Sequence, residues 1–177
     1  MKNAKNVILN SIALVLGVLI LVFLAMPHYV LDLTVTSQTV NGYDLLNFEG
    51  SSLSIFIDVS LLFMIIFASL LILASIGGLL SNFGVVRGKT FAKASRMIAL
   101  ASSILLALFA MFALAGIGYD AATATKFNIG DQVFDVGEII PLSAGWGVIV
   151  NFILALAILV CEVFNKMKVA KAKGKRK

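Results

Sequence analysis

The sequence predicts an all-α integral membrane protein, a four-transmembrane-helix bundle with two outer loops forming β-hairpins or a small antiparallel sheet. Three observations predict it. Of 177 residues, 60% are hydrophobic and 13% are charged, against about half and a quarter in a soluble domain. The apolar residues gather into four long stretches, each close to the ~20 residues a helix needs to cross a ~30 Å hydrocarbon core. Thirteen of the fourteen Lys and Arg residues flank one end of these stretches. The composition excludes a soluble globular domain, a disordered chain and a collagen-like chain. A disulfide scaffold is excluded too, because Cys161 is the only cysteine.

The first span covers residues 7–27 and stops at Pro27. Its basic start imitates a secretory signal, but the apolar run exceeds the ~7–15 residues of a signal core. Ala25-Met26-Pro27 offers no small-x-small cleavage site, so the span is read as a retained anchor. The first outer loop follows, over 28–52. Alternation from Asp32 to Val40 predicts a strand, Asn41-Gly42 a tight hairpin turn, and Tyr43–Phe48 the return strand.

The second span covers 53–80. Its run Leu61-Leu62-Phe63-Met64-Ile65-Ile66-Phe67 does not alternate, which excludes a transmembrane barrel strand. A short basic turn follows, with Gly84 and Gly88 as helix breakers and Arg87, Lys89, Lys93 and Arg96 as its charges. The third span covers 97–118. The second outer loop, 119–143, predicts a hairpin of Lys126–Ile129 and Gln132–Val136 around Gly130-Asp131. The two loops are expected to share one small sheet. The fourth span covers 144–164, and a basic tail covers 165–177. The whole chain reads as a single membrane domain.

Charge sets the orientation. Lys2, Lys5, the basic turn and the tail lie on one side, and only Lys126 lies on the other. The positive-inside rule places both termini in the cytoplasm. Asp32, Asp44, Glu49, Asp120, Asp131, Asp135 and Glu138 make the outer loops acidic. The absence of loop cysteines and the simple basic flanks suit a plasma membrane, specifically a bacterial inner membrane. No nucleic-acid partner is expected, since the basic residues flank spans. Lys171, Lys173, Lys175, Arg176 and Lys177 are expected at anionic lipid headgroups, each contributing ~1 kcal/mol.

Candidate site residues are few. Asp58 is an ionisable group near the outer end of the second span, and such groups are costly in lipid. Asn151 shares a face of the fourth span with Gly147 and Ala155. Ala74, Gly78 and Asn82 repeat this spacing on the second span, and Ala99, Ser103 and Ala107 on the third. Such faces serve helix packing or self-association, and a pore lining is the alternative. Glu162 is expected to pair with Lys166, and Cys161 to be a free thiol. His28 is expected at the interface, with Tyr29, Tyr119 and Trp146 as aromatic anchors. Asp131 and Asp135 are the closest acidic pair for a cation, without the spacing of an EF-hand.

The chain contains no phosphate loop, dinucleotide fingerprint, Ser-x-x-Lys, Gly-x-Ser-x-Gly or His-Glu-x-x-His. No catalytic residue, cofactor or metal site is predicted. The layout of four spans with an outer sheet is similar to claudin and peripheral-myelin tetraspan proteins. Their paired loop cysteines and Trp-Gly-Leu-Trp segment have no counterpart here, so no function is carried over. The expected function is a non-enzymatic accessory or scaffold subunit that joins partners through spans and outer loops. The alternative is a homo-oligomeric pore or small transporter using Asp58 and Asn151.

Overall fold

The computed structural model describes residues 2–32, 37–46, 54–86, 88–123, 126–129, 132–135 and 142–174. In chain order these form α1 (Lys2–Phe23), β1 (Pro27–Asp32), β2 (Ser37–Asn41), α2 (Gly42–Leu45), α3 (Ser54–Asn82), α4 (Lys89–Thr123), β3 (Lys126–Ile129), β4 (Gln132–Asp135), β5 (Leu142–Ala144) and α5 (Trp146–Gly174). Four helices are long and apolar enough to cross a membrane, over Asn6–Phe23, Ile57–Asn82, Lys89–Tyr119 and Trp146–Phe164. Helices are the expected form, because lipid offers no partner for exposed backbone N–H and C=O groups.

A long apolar helix stands at each of the four expected spans, with shifted ends. α1 stops at Phe23, and Pro27 opens a strand instead of closing the helix. Proline fixes φ and holds the residue before it extended, so the chain leaves the helix ahead of it. α4 begins at Lys89, eight residues before the expected Met97. Lys and Arg are good helix formers, so the basic segment is helical and continuous with the apolar stretch that follows it. Ala144 belongs to β5, and the last helix starts at Trp146. That helix continues through most of the basic tail.

Gly84, one of the two expected helix breakers, ends α3 by a defined geometry. Its φ is +76°, the left-handed region open to glycine. Val85 N–H donates to Leu80 O at 3.0 Å and Gly84 N–H to Ser81 O at 3.3 Å. These two bonds make a Schellman cap. Gly88 does not end a helix; its carbonyl accepts from Ala92 N–H at 3.2 Å, as the cap residue of α4.

The chain divides into two compact units. One comprises residues 1–20, 66–107 and 154–177. In it Gly17 of α1 packs on Leu71 and Ile72 of α3, and Gly77 of α3 meets Phe91 and Ser95 of α4. Ala13, Ala68, Leu71, Leu106, Ala155 and Ile158 are fully buried there. The other comprises residues 21–65 and 108–153 and contains the strands. In it Phe63 of α3 stacks on Phe109 of α4 with ring centroids 4.7 Å apart. Leu24, Leu61, Ala113 and Ile117 are fully buried.

The second unit carries a three-stranded antiparallel sheet in the order β2-β1-β5. β1 pairs with β2 from Asp32↔Ser37 to Pro27↔Asn41, and with β5 through Tyr29↔Ala144, Val30↔Ser143 and Leu31↔Leu142. Both loops therefore share a sheet, as expected, but the second loop joins through 142–144. The expected hairpin β3–β4 forms separately, with Ile129↔Gln132 closing it. The first hairpin departs from expectation. The strand that pairs with Ser37–Asn41 precedes it, at Pro27–Asp32, and Asn41-Gly42 is not a hairpin turn. Asn41 Oδ1 instead accepts from Tyr43 N–H at 3.0 Å and Asp44 N–H at 2.8 Å, which makes it the N-cap of α2. The expected return strand is therefore helical over Gly42–Leu45. An Asn side chain serves a turn or a cap equally well, and the pairing partner decides which.

Candidate functional site

The best-defined polar architecture is the corner where α1 turns into β1. The last carbonyls of a helix have no partner within it. Here they are taken up in sequence. Leu21 O accepts from Tyr43 Oη at 2.7 Å. Val22 O and Phe23 O accept from Ala25 N–H and Met26 N–H at 3.0 and 3.1 Å, and Leu24 O from Gly42 N–H at 2.7 Å. Met26 O bonds His28 Nδ1 at 2.8 Å. Short helix α2 is thus tied directly to the end of α1.

His28 occupies this corner with no exposed surface, which corrects the expectation of an interfacial side chain. The cause lies in the register. Pro27 pairs with Asn41 and Tyr29 with Val40, so His28 is the extra residue of a β-bulge. A bulge breaks alternation and re-aims a side chain. His28 and Tyr29 are consecutive, yet Tyr29 is also buried, at 1% exposure. Tyr29 is therefore a core residue rather than an aromatic anchor, while Tyr119 and Trp146 are exposed. Trp146 meets Phe23 edge-to-face at 5.8 Å.

With its Nδ1 proton given to Met26 O, a neutral His28 has an acceptor at Nε2. That Nε2 is buried without a hydrogen bond among the described residues. Burial pushes the imidazole below its ordinary range, against a smaller opposing effect of the Met26 bond. Gly145 N–H donates to His28 O at 2.7 Å. A Cβ on Gly145 would collide with the Pro27 carbonyl, and one on Gly147 would stand 2.7 Å from Pro27 O. Gly147, chosen from the sequence as a packing residue, therefore admits the Met26–Pro27 backbone against α5.

The other candidates fall as follows. Asn151 is fully buried, and neither Nδ2 nor Oδ1 has a hydrogen-bond partner among the described residues. Asp58 is half-buried, and its Oδ1 is enclosed without a partner. Ala155 is fully buried. Gly78 is buried against Asn10 of α1. Ser103 is fully buried, and its hydroxyl donates to Leu100 O at 2.8 Å in its own helix. All three small-residue faces are thus turned inward, apart from half-buried Asn82.

Glu162 is buried, at 4% exposure, and Cys161 is a half-buried free thiol. The side chains of Lys166, Asp135, Lys171 and Lys173, and all of Asp131, Lys175, Arg176 and Lys177, lie outside the described residues. Among the described residues no three His, Cys, Asp or Glu side chains gather to hold a metal. Sequence reasoning missed Asn10, Ser60, Ser75, Ser95 and Ser102, all buried polar residues. Spacing on the partner helix was the available signal for Asn10, since Gly78 leaves the room it fills. Compared with protein-family models, curated proteins and solved structures, the chain matches none of them.

Proposed function

We propose that this chain is a non-enzymatic accessory or scaffold subunit of a membrane assembly. Its four long helices form a bundle in a plasma membrane, of the bacterial inner type, with both termini cytoplasmic. The spans and outer loops meet the partner. The observation that carries this reading is the filling of the two units. Their fully buried side chains are mostly Ala, Leu and Ile, with polar atoms scattered singly. A conducting path is ordinarily lined by polar groups or water. The sheet β2-β1-β5 draws strands from both outer loops, which favours a defined contact surface over two loose loops.

One observation favours the alternative of a homo-oligomeric pore or small transporter. Asp58 and Asn151 each hold buried polar atoms without a partner, and a second copy or a solute would supply one. Reconstitution into liposomes separates the readings. A scaffold gives no Na⁺, K⁺, H⁺ or Cl⁻ flux above empty vesicles, and it leaves gently solubilised membranes at a fixed ratio to one partner chain. Flux that disappears in Asp58→Asn or Asn151→Leu overturns the scaffold reading.

A further inference from the structure

Short helix α2 is tied to the end of α1 by Gly42 N–H on Leu24 O, by Tyr43 Oη on Leu21 O and by the His28 ring. A Cβ built at Gly42 would stand 3.0 Å from His28 Cε1, 3.1 Å from Nε2 and 2.9 Å from Leu24 O. The ring edge that bears Nε2 therefore packs on the bare Cα of Gly42. The other ring nitrogen is engaged at Met26 O. The carbonyl of the same residue holds Gly145 N–H. One residue thus touches the end of α1, the start of α2 and the residue that precedes α5.

A proton changes what that edge needs. Neutral, Nε2 is an acceptor, and an unpaired acceptor is a modest loss. Protonated, it is a donor on a cation, and a buried cation without a partner costs far more. Among the described residues Nε2 has no partner. Burial already holds the imidazole below its ordinary range, against a smaller opposing effect of the Met26 bond. The neighbouring elements offer little help. The stretches Gly17–Met26, Ser37–Asn41 and Leu142–Asn151 contain no Asp, Glu, Lys or Arg. On α2, the Tyr43 hydroxyl is spent on Leu21 O, and exposed Asp44 is bonded by Asn41 Nδ2. On β1 stands buried Tyr29. Asp58 of α3 leaves its enclosed Oδ1 without a partner, so that oxygen does not serve His28. The side chains of Asp32, Glu49, Asp120, Asp131, Asp135 and Glu138 lie outside the described residues.

Relief is cheapest on the α2 side. That helix has four residues, of which Gly42 and Leu45 are buried. Moving it off the ring breaks two hydrogen bonds to α1, far fewer than parting β1 from β2 and β5 or separating the long helices. Small, lightly tied segments open at less than the cost of global unfolding, and water then reaches Nε2. We propose that His28 is an acid-operated latch: a proton on Nε2 releases Gly42 and α2 from the end of α1, while β1 and the long helices stay in place. The device lies at the end of α1 remote from Lys2 and Lys5, and it stands equally for a scaffold or a pore.

The test follows hydrogen exchange of single amides by NMR, on the full isotope-labelled chain in phospholipid nanodiscs at pH 7.5 and 5.5. Each rate is divided by that of an unstructured amide at the same pH. Gly42 N–H is the reporter, and Gly145 N–H on His28 O and Val85 N–H on Leu80 O are the references. Protection at Gly42 is expected to fall about fivefold or more at the lower pH, toward the limit set by one proton taken up only in the open form, whose imidazole titrates near ~6.5. Gly145 and Val85 change little. The ring carbon shifts of His28, the single histidine, titrate below ~6.5 in the same samples. His28→Asn and His28→Gln each make the protection of Gly42 equal at the two pH values. Unchanged protection of Gly42 in the parent protein overturns the latch, and so does an equal fall at all three amides, which is global unfolding. A ring titration at or above ~6.5 overturns it even where neither variant folds. A fall that survives His28→Asn and vanishes in Glu49→Gln with Glu138→Gln belongs to those acids and overturns it as well.

Discussion

Asn10 of α1 lies against the bare Cα of Gly78 on α3. A methyl group built at Gly78 would stand 2.5 Å from Asn10 Nδ2 and 3.0 Å from its Cγ. Small residues let membrane helices approach closely, and a polar side chain fills the remaining gap. The pair joins α1 to α3 within one unit.

Gly78→Ala is expected to lower stability by about 1–3 kcal/mol, the usual range for overpacking. The obstruction is the end of a side chain, so Asn10→Ala combined with Gly78→Ala should recover most of the loss. Reversible unfolding in mixed micelles, followed by circular dichroism, measures the coupling between the two changes. Additive losses would mean that the residues do not constrain each other.

Gly145→Ala is expected to be more damaging than Gly78→Ala. Its new methyl would meet backbone atoms of Pro27 and His28, which cannot rotate away as a side chain can. The Gly145–His28 backbone bond of 2.7 Å would be strained as well. A loss at or above the upper end of ~1–3 kcal/mol follows, with earlier proteolysis in the segment 27–46. Equal effects of the two alanines would contradict the close approach at Gly145.

The buried His28 makes stability depend on pH. Its folded pKa is lowered by burial, while the unfolded chain titrates near ~6.5. Above that value the imidazole is neutral in both states and nothing is lost. As pH falls below it the unfolded state takes up the proton first, so stability declines until the folded pKa is passed. The slope is at most about 1.4 kcal/mol per pH unit. His28→Asn retains a donor for Met26 O and does not titrate. The melting temperature of the parent should fall between pH 7.5 and 5.5 more than that of His28→Asn, and matching falls would assign the effect elsewhere.

Asn151→Leu tests whether the orphaned amide has a partner in the isolated chain. An unsatisfied buried polar group costs about 1–3 kcal/mol, and leucine of similar size removes that cost. Unfolding should therefore occur at the same or higher denaturant concentration. A loss of stability in the monomer would reveal a bond that the amide makes.

Much of the architecture is legible because hydrophobic length and charge act segment by segment. Sixteen consecutive uncharged residues from Ile8 to Phe23 require a nonpolar surrounding whatever their neighbours are. Gly84 ends a helix where an isolated glycine signal places it. The inward burial of Gly147, Asn151 and Ala155 likewise follows from a single helix and its spacing. Helix ends are less legible, because the basic residues of Lys89–Arg96 favour a helix without adding to the apolar run by which a span is recognised in the sequence.

The sequence by itself determined four long apolar helices, their separation by basic and acidic connections, and β-structure in the first and third of those connections. Solvent transfer and local propensity decide these, and both can be summed along the chain. Only the tertiary structure decided that Asn41 caps a helix, that Leu142–Ala144 joins β1, and that His28 is buried. Each depends on pairing with residues distant in sequence. The bulge at Pro27–Tyr29 exists only relative to Val40 and Asn41, and a one-residue change of register turns every later side chain to the opposite face.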